Sequence, residues 1–316
     1  MSESASPSQC ELIRIGTRGS RLALFQSNWT ATRLRELHPG LAVEIVEIRT
    51  KGDRDQVSPL SMVGGTGLFT KEIQRALLDG EVDLAVHSLK DLPTKSIEGL
   101  RLSAAPERED VRDALISKSG GGLDSLSAGA RVGTGSLRRK AMLLAARPDL
   151  EVVDLRGNVE TRLRRALEGD LDAVVLAVAG LNRLGLASHI SQVLEPPLFL
   201  PAVGQGSLGL ETRVDDEAAH RAVGHLNDPS TMAAVRAERR LLAELEGGCQ
   251  IPLGAWGECT SDGRLRLSGA IWGSDGAHSI SATAEGSVDD PERLGVEVAL
   301  ELRRQGAEEL LRRPAG

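Results

Sequence analysis

Short apolar stretches alternate with segments of helical spacing through the first two thirds of the chain. Residues 12–15 predict a strand that runs into a glycine-rich turn, and apolar residues then recur at helical spacing from Leu22 to Leu34. Ser20 stands where a helix N-cap is expected. A strand at residues 43–48, a glycine-rich stretch and a helix at residues 69–78 follow. The order strand, turn and capped helix is typical of a site where backbone N–H groups face an anion.

The second part of this region repeats the pattern. Residues 131–136 predict a strand and a Gly-Thr-Gly-Ser turn, and helical spacing follows as far as Arg147. A helix ending at Gly169 precedes an apolar strand, as a helix ending at Gly80 does, although such αβ turns also resemble one another in unrelated proteins. The alternation is typical of parallel sheets covered on both faces. It predicts two α/β lobes, with the chain crossing between them near residues 106–112 and 200–206.

The pattern changes after Pro229. Asp228 and Pro229 suit the N-cap and first turn of a long helix that reaches residue 246. Apolar and polar residues then alternate at 251–258, 264–271 and 278–285, with turn residues between them, as in antiparallel strands. A last helix begins at Asp290 and ends near Gly306. These features predict a small α+β domain with an antiparallel sheet.

Composition excludes several function classes. Aromatic residues make up only 2% of the 316 residues, which leaves no stacking platform for single-stranded nucleic acid, and the net charge of -7 disfavours a general affinity for polyanions. The cysteines Cys10, Cys249 and Cys259 have no metal-ligand spacing, so we expect neither a disulfide framework nor a metal site. The polar N-terminus is unlike a secretion signal, and no apolar run is long enough to cross a membrane, so a cytoplasmic protein is expected.

All but six of the 38 basic residues are arginines. Base composition of the genome accounts for most surface arginines, but six of them stand at strand ends or helix starts: Arg18, Arg138, Arg139, Arg156, Arg162 and Arg183. A cationic pair such as Arg138 and Arg139 in a first helical turn opposes the helix dipole unless an anion is bound. Because guanidinium pairs two-point with carboxylate or phosphate and phosphate-loop spacings are lacking, the pattern favours a polycarboxylate ligand.

Two further positions have both a chemical and an ordinary explanation. Lys90 and Asp91 follow a buried strand and precede Pro93. They are either a surface ion pair or a carboxylate held among cations, able to stabilise positive charge or move a proton. Cys249 follows two glycines on the turn after the long helix. It is either an inert buried thiol or one that faces a cavity.

Together these stretches resemble the porphobilinogen deaminases, also called hydroxymethylbilane synthases. They occur in the family's order: Ile15-Gly16-Thr17-Arg18-Gly19-Ser20, Gly67-Leu68-Phe69-Thr70-Lys71-Glu72, Val86-His87-Ser88-Leu89-Lys90-Asp91-Leu92-Pro93, Val132-Gly133-Thr134-Gly135-Ser136-Leu137-Arg138-Arg139, Leu155-Arg156-Gly157-Asn158, Leu176-Ala177-Val178-Ala179-Gly180-Leu181, Leu200-Pro201-Ala202-Val203-Gly204-Gln205-Gly206 and Leu245-Glu246-Gly247-Gly248-Cys249.

The resemblance implies a transferase of tetrapyrrole and haem biosynthesis. Such an enzyme joins four porphobilinogens head to tail, releases ammonia at each step and frees the linear product by hydrolysis. It implies a dipyrromethane cofactor attached by a thioether, here to Cys249. It also implies lobes like those of periplasmic binding proteins. Residues 1–106 with 201–225 would form lobe one, residues 107–200 lobe two, and residues 226–316 the domain with the cofactor cysteine.

By the same resemblance, Asp91 stabilises the electron-poor ring left by ammonia and acts with Lys90 and Arg18 as the catalytic group. The residues implied to bind the cofactor are Cys249, Asp91, Lys90, Ser88, Ser20, Thr134, Ser136, Arg138, Arg139, Arg156 and Gly180. Those implied to bind substrate are Arg18, Ser20, Arg156, Arg162, Arg183, Gln205 and Phe69. A monomer is implied, while the sequence does not decide whether uroporphyrinogen-III synthase docks to take over the product.

The chain departs from the family pattern in the glycine-rich stretch, where Thr66 and Met62 replace basic residues. Fewer charges there put the role of this stretch in carboxylate binding in doubt. Gly135 replaces a commoner serine. Two other functions compete with the enzyme: a two-lobed binding module for a dicarboxylate, with an inert Cys249, and a phosphate-handling transferase.

Overall fold

The computed structural model describes residues 11–50, 67, 70–245 and 251–312. The first part of the chain alternates strands and helices as predicted. Its elements are β1 (Leu12–Thr17), α1 (Arg21–Leu37), β2 (Ala42–Glu47), α2 (Lys71–Leu78), β3 (Leu84–Ser88) and β4 (Leu100–Ala104). The predicted N-cap of α1 is confirmed, because the Oγ of Ser20 accepts a hydrogen bond from the Ala23 amide at 3.3 Å.

The second α/β segment follows a crossing. It consists of β5 (Asp113–Ser117), β6 (Arg131–Gly133), α3 (Leu137–Ala146), β7 (Glu151–Val153), α4 (Val159–Leu167), β8 (Ala173–Ala177), α5 (Val178–Arg183) and β9 (Gln192–Leu194). Its sheet has the strand order β7-β6-β8-β5-β9. The chain then returns to the first sheet through β10 (Leu208–Arg213) and α6 (Glu217–Gly224), and that sheet has the order β2-β1-β3-β10-β4.

The two predicted α/β lobes are present, but their sheets are mixed and not wholly parallel, as strand–helix alternation alone would give. β10 runs antiparallel to β3 and β4, and β5 runs antiparallel to β8 and β9. The reason lies in the crossings. Leu208 at the start of β10 is opposite Ser88 at the end of β3, and Asp113 at the start of β5 is opposite Ala177 at the end of β8. A strand that begins at the edge of the sheet where its neighbour ends must run antiparallel to that neighbour.

The last part of the chain is the predicted α+β unit. It contains α7 (Pro229–Glu244), β11 (Leu253–Cys259), β12 (Arg264–Trp272), β13 (Ser279–Ser287), α8 (Pro291–Arg304) and a short α9 (Ala307–Arg312) that the sequence did not predict. The three strands form one antiparallel sheet in the order β11-β12-β13. Asp228 caps α7 as predicted, since its Oδ1 accepts from the Thr231 amide at 2.7 Å.

Each unit has an apolar core, and these cores meet at two places. Ala270 and Trp272 of β12 join the core of the second sheet beside Leu200. Met232 and Val235 of α7 pack on the apolar residues after β3. The α+β unit therefore touches both α/β lobes. None of the helices in the described ranges is both long and apolar enough to cross a membrane.

Candidate active site

An open cavity lies where β1 and β3 end. Arg18 and Ser20, from the turn after β1, line it together with Ser88 and Asp91 from the end of β3. The structure thus brings together two pairs of predicted site residues, Arg18 with Ser20 and Ser88 with Asp91. The two pairs are 68 or more positions apart in the chain. They meet because β1 and β3 are parallel neighbours, so their C-terminal ends share one edge of the sheet.

The carboxylate of Asp91 is carried by a short 3-10 turn, Leu89–Asp91, that continues β3. Leu89 is only 1% exposed and anchors the turn in the core, while Lys90 and Asp91 are partly exposed. The Nζ of Lys90 donates to Oε1 of Gln205 at 3.3 Å. Burial, together with the charge of Arg139, lowers the pKa of Lys90 to about 8. Lys90 is therefore protonated at neutral pH and loses its proton as the pH rises through about 8.

Arg138 and Arg139 converge on one buried carboxylate, that of Asp113. Arg138 Nη1 lies 2.8 Å from Asp113 Oδ2, and Arg139 Nη2 lies 2.7 Å from Oδ1. Burial alone would raise the pKa of Asp113, but the charges and hydrogen bonds of the two arginines outweigh it and hold the pKa below its usual range. The anion that compensates Arg138 and Arg139 in the first turn of α3 is thus the carboxylate of Asp113. Together, the two arginines and the aspartate carry a net charge of one positive unit.

The guanidinium groups of this pair also bind backbone carbonyls. Arg139 Nη1 donates to Val175 O at 3.0 Å, and Arg138 Nη1 donates to Leu200 O. Both side chains are buried, at 4% and 6% exposure. The structure therefore holds the two guanidinium groups between β8 and the return crossing.

Gln205 connects the two lobes beneath the cleft. Its Nε2 donates to Asp113 Oδ1 at 2.8 Å and to the Val111 carbonyl at 2.8 Å, while its Oε1 accepts from Lys90. The side chain is 1% exposed. Gln205 had been expected at the junction of the lobes, and there it couples Lys90 of lobe one to the arginine-bound carboxylate of lobe two.

Arg162 faces charges from both lobes. Burial and the charge of Arg139 lower its pKa to about 10, against the attraction of Asp91 and Asp154, and the charge of Arg156 acts in the same direction as that of Arg139. Its Nε donates to the Gly157 carbonyl at 2.8 Å. Asp91 of lobe one and the lobe-two residues Arg139 and Arg156 are thus close enough to Arg162 to act on its pKa.

The remaining predicted residues of the described ranges have local roles as well. Ser136 caps α3 through the Arg139 amide at 3.4 Å, and Thr134 Oγ1 accepts from the Ser136 amide at 3.2 Å. Arg183 Nη2 donates to the Gly206 carbonyl at 2.7 Å, and burial lowers its pKa. At Gly180 an added Cβ would lie 3.7 Å from Val159 and 3.8 Å from Leu22. Nothing steric in the structure explains a glycine there.

Five residues singled out from the sequence lie outside the described residues. They are Cys10, Cys249, Phe69, Thr66 and Met62. The described chain reaches Leu245 and resumes at Ile251, so α7 leads directly to the segment that contains Cys249.

Sequence reasoning missed several polar residues of this region. Asp113 is one, because an aspartate before an apolar strand gives no sign of which cations it will meet. Gln26 is another: its Nε2 donates to Ser88 Oγ at 2.9 Å and fixes that hydroxyl at the cavity wall. Behind the wall, His87 Nε2 lies 3.3 Å from Glu211 Oε2. Within the described ranges no three acidic, histidine or cysteine side chains are grouped as metal ligands.

A two-lobed α/β fold whose cleft gathers arginines and a lysine around a carboxylate defines a protein that binds polycarboxylate ligands. The particular family follows from comparison with known proteins. The chain belongs to the porphobilinogen deaminase family. A model described as porphobilinogen deaminase, dipyromethane cofactor binding domain, matches residues 13–221, and one for the C-terminal domain of the same enzyme matches residues 232–304.

Curated relatives agree. A porphobilinogen deaminase of Geobacter metallireducens is 51% identical over 299 residues, covering 95% of this chain and 93% of the relative. That of Geobacter sulfurreducens matches at the same identity and coverage. Among solved structures, the BenM effector binding domain matches with a TM-score of 0.41 and 16% identity, covering 69% of this chain and 92% of that domain. A TM-score of this size says nothing about function.

The family membership decides between the competing functions. The chain is an enzyme of tetrapyrrole biosynthesis, with porphobilinogen deaminase (hydroxymethylbilane synthase) activity and a dipyrromethane cofactor. A mere binding module or a phosphate-handling transferase is excluded.

Proposed function

We propose that Asp91 is the group around which this chain condenses four porphobilinogens, one after another, on a dipyrromethane held by Cys249. The observation that carries this proposal is the place of Asp91. It ends the 3-10 turn that follows β3, and it lines the cavity with Arg18 and Ser20. Its charge raises the pKa of Arg162, against burial and the charges of Arg139 and Arg156. One carboxylate is therefore held at the cavity with Arg18, close to the cations of lobe two.

The described residues fit a dipyrromethane by their charge. Each of its two pyrrole rings carries an acetate and a propionate, so bound carboxylates need several fixed cations. Arg138 and Arg139 share one carboxylate and leave a positive charge, and Lys90 stands next to them. The hydroxyls of Ser20 and Ser136 accept from backbone amides and still have their own proton to donate. When bound, the dipyrromethane supplies the primer to which the substrate rings are joined.

The proposed catalytic role of Asp91 is electrostatic. As the aminomethyl carbon of a substrate loses ammonia, the carbon–nitrogen bond breaks and positive charge develops on the ring. A carboxylate fixed beside that ring, in a partly desolvated cleft, stabilises the charge more than water would. Arg18, across the same cavity, binds a substrate carboxylate and orients the ring toward Asp91.

The other roles follow the geometry of the cleft. We assign the cofactor carboxylates to Lys90, Ser88, Ser20, Thr134, Ser136, Arg138, Arg139 and Arg156, with Gly180 in the adjoining wall. We assign substrate carboxylates to Arg18, Ser20, Arg156, Arg162 and Arg183, with Gln205 and Phe69 completing the substrate site. The domain boundaries predicted above, a monomeric state and a cytoplasmic location belong to the same proposal.

Mass spectrometry of the intact purified chain tests the covalent attachment. The expected result is a mass increase of two pyrrole units that maps to Cys249 and disappears in Cys249→Ala. Cys259→Ala is the matched control, because Cys259 is a free, exposed cysteine on β11, and its adduct should persist. An unmodified wild-type chain, or an adduct lost only in Cys259→Ala, would refute the assignment.

Asp91→Asn tests the catalytic role separately. We expect turnover to fall about a hundredfold or more, in the range seen when one electrostatic stabiliser is removed, while the adduct on Cys249 persists. Asp79→Asn, at an exposed ion pair with Arg75, should leave turnover unchanged. Normal turnover in Asp91→Asn would overturn the role of Asp91 without touching that of Cys249.

A further inference from the structure

Helix α7 packs directly beneath the turn that carries Asp91. Val235 of this helix is fully buried in one apolar cluster with Leu89 and Leu92, which flank Lys90 and Asp91 in the chain. Met232, one turn earlier, packs against the same cluster. The turn is therefore seated on a helix of the C-terminal unit as well as on its own sheet.

One side chain of α7 also binds the backbone just after Asp91. Arg239 Nη1 donates to the Leu92 carbonyl at 2.9 Å, and its Nη2 donates to the Pro93 carbonyl at 2.6 Å. Two neighbouring carbonyls thus meet the two arms of one rigid guanidinium fork. Since these hydrogen bonds come from a charged and partly buried donor, they are stronger than neutral ones and fix the direction of the chain after Asp91.

The same helix is held on another side and leads to Cys249. The neighbouring Glu238 is fully buried and accepts from Arg108 Nη1 at 2.6 Å and from the Gly204 amide at 2.7 Å, so α7 cannot shift freely against the crossings. Arg239 precedes Leu245 by six residues, about 9 Å along a helix. Leu245 is the last described residue before the segment with Cys249.

We propose that Arg239 is a positioning residue, which sets the carboxylate of Asp91 at a fixed place at the cavity. The inference rests on the proposed role of Asp91. It adds that the C-terminal unit contributes directly to the geometry of the carboxylate, through the Leu92 and Pro93 carbonyls. Without the fork, the turn would keep its apolar seat but lose its fixed direction.

Arg239→Met tests this with the full-length, cofactor-loaded enzyme. Methionine keeps the apolar stem and removes the fork. We expect kcat to fall about tenfold to a hundredfold, as a misplacement of about 1 Å does, with KM for porphobilinogen within threefold and the cofactor adduct still present. Arg236→Met is the matched control: it lies one turn earlier on α7 and pairs with Glu292 at the surface. It should retain normal kcat.

A conservative variant separates positioning from folding. Arg239→Lys can still donate to one of the two carbonyls, so its kcat should lie between those of wild type and Arg239→Met, with a melting temperature near that of wild type. If Arg239→Met did not fold, Arg239→Lys alone would carry the test, and normal kcat in it would overturn the proposal. A kcat within twofold of wild type in folded Arg239→Met, or a loss confined to KM, would also overturn it.

A double-mutant cycle shows whether Arg239 acts through Asp91. The longer side chain of Asp91→Glu already misplaces the carboxylate, so adding Arg239→Met should cost less than it does alone. Strictly multiplicative losses would contradict the positioning role. Full activity in Asp91→Glu and Asp91→Asn would instead overturn the proposed role of Asp91, and that outcome is distinct from a normal Arg239→Met in an enzyme that needs Asp91.

Discussion

Asp113 Oδ1 lies 2.7 Å from Nη2 of Arg139, and both side chains are buried. The same carboxylate also pairs with Arg138, so two cations of the candidate site depend on one anion. The buried carboxylate of Asp113 therefore holds the guanidinium groups of Arg138 and Arg139 in place.

Asp113→Asn should destabilise the fold by about 3–5 kcal/mol, since removing one partner of a buried pair leaves uncompensated charge. Urea denaturation measures the loss. Glu292→Gln is the control: it breaks an exposed pair with Arg236 and should cost less than about 1 kcal/mol. Equal small effects in both variants would show that the two arginines do not need their buried partner.

The lowered pKa of Asp113 also predicts how stability depends on pH. Because the folded pKa lies below the unfolded value of 3.8, the stabilisation is complete above that value and is lost as pH falls below it. Wild type should therefore lose more free energy of unfolding than Asp113→Asn between pH 5 and pH 3, about one pH unit on each side of the unfolded value. Parallel pH curves for the two proteins would contradict this assignment.

Lys90 predicts an alkaline limb in the pH profile. Its pKa is lowered to about 8, so its charge is present below that pH and is lost as pH rises through it. The value of kcat/KM, which reports the free enzyme, should fall through that range. Lys90→Arg should move the limb to higher pH because arginine stays protonated. The same limb in Lys90→Arg would assign it to another group.

Gln205→Leu removes the link between Lys90 and Asp113 with little change in volume. It should cost about 1–3 kcal/mol of stability, because buried polar groups lose their partner, and it should lower kcat/KM. Gln305→Leu, at an exposed hydrogen bond to Glu301, is the control and should change neither. An unaffected kcat/KM in Gln205→Leu would mean that Lys90 holds its place without Gln205.

Thr66→Lys introduces a charge into the glycine-rich stretch. An added cation near a polycarboxylate ligand should lower KM for porphobilinogen, with a smaller gain at high salt because salt screens exposed charges. Thr66→Gln, of similar length and neutral, is the matched control. An unchanged or higher KM in Thr66→Lys would contradict the prediction, and Thr66 itself lies outside the described residues.

Local sequence patterns predicted most of the secondary structure. Ser20 and Asp228 cap their helices as predicted, and the three antiparallel segments after α7 became β11, β12 and β13. Helix caps and apolar periodicity depend on neighbours a few residues away, so the sequence displays them directly. The sequence also predicted that Lys90 and Asp91 follow a strand end, because an apolar strand precedes them and Pro93 comes soon after.

What only the tertiary structure decided are the pairings between distant residues. Arg139 meets Asp113 across 26 positions, Lys90 meets Gln205 across 115, and Arg239 meets Pro93 across 146. The antiparallel course of β5 and β10 belongs with these, since it depends on which edge the crossing chain enters. The sequence by itself determined most of the helices and strands and the family motifs. Which carboxylate, amide or carbonyl each cation meets depends on packing between elements, and no local pattern encodes that.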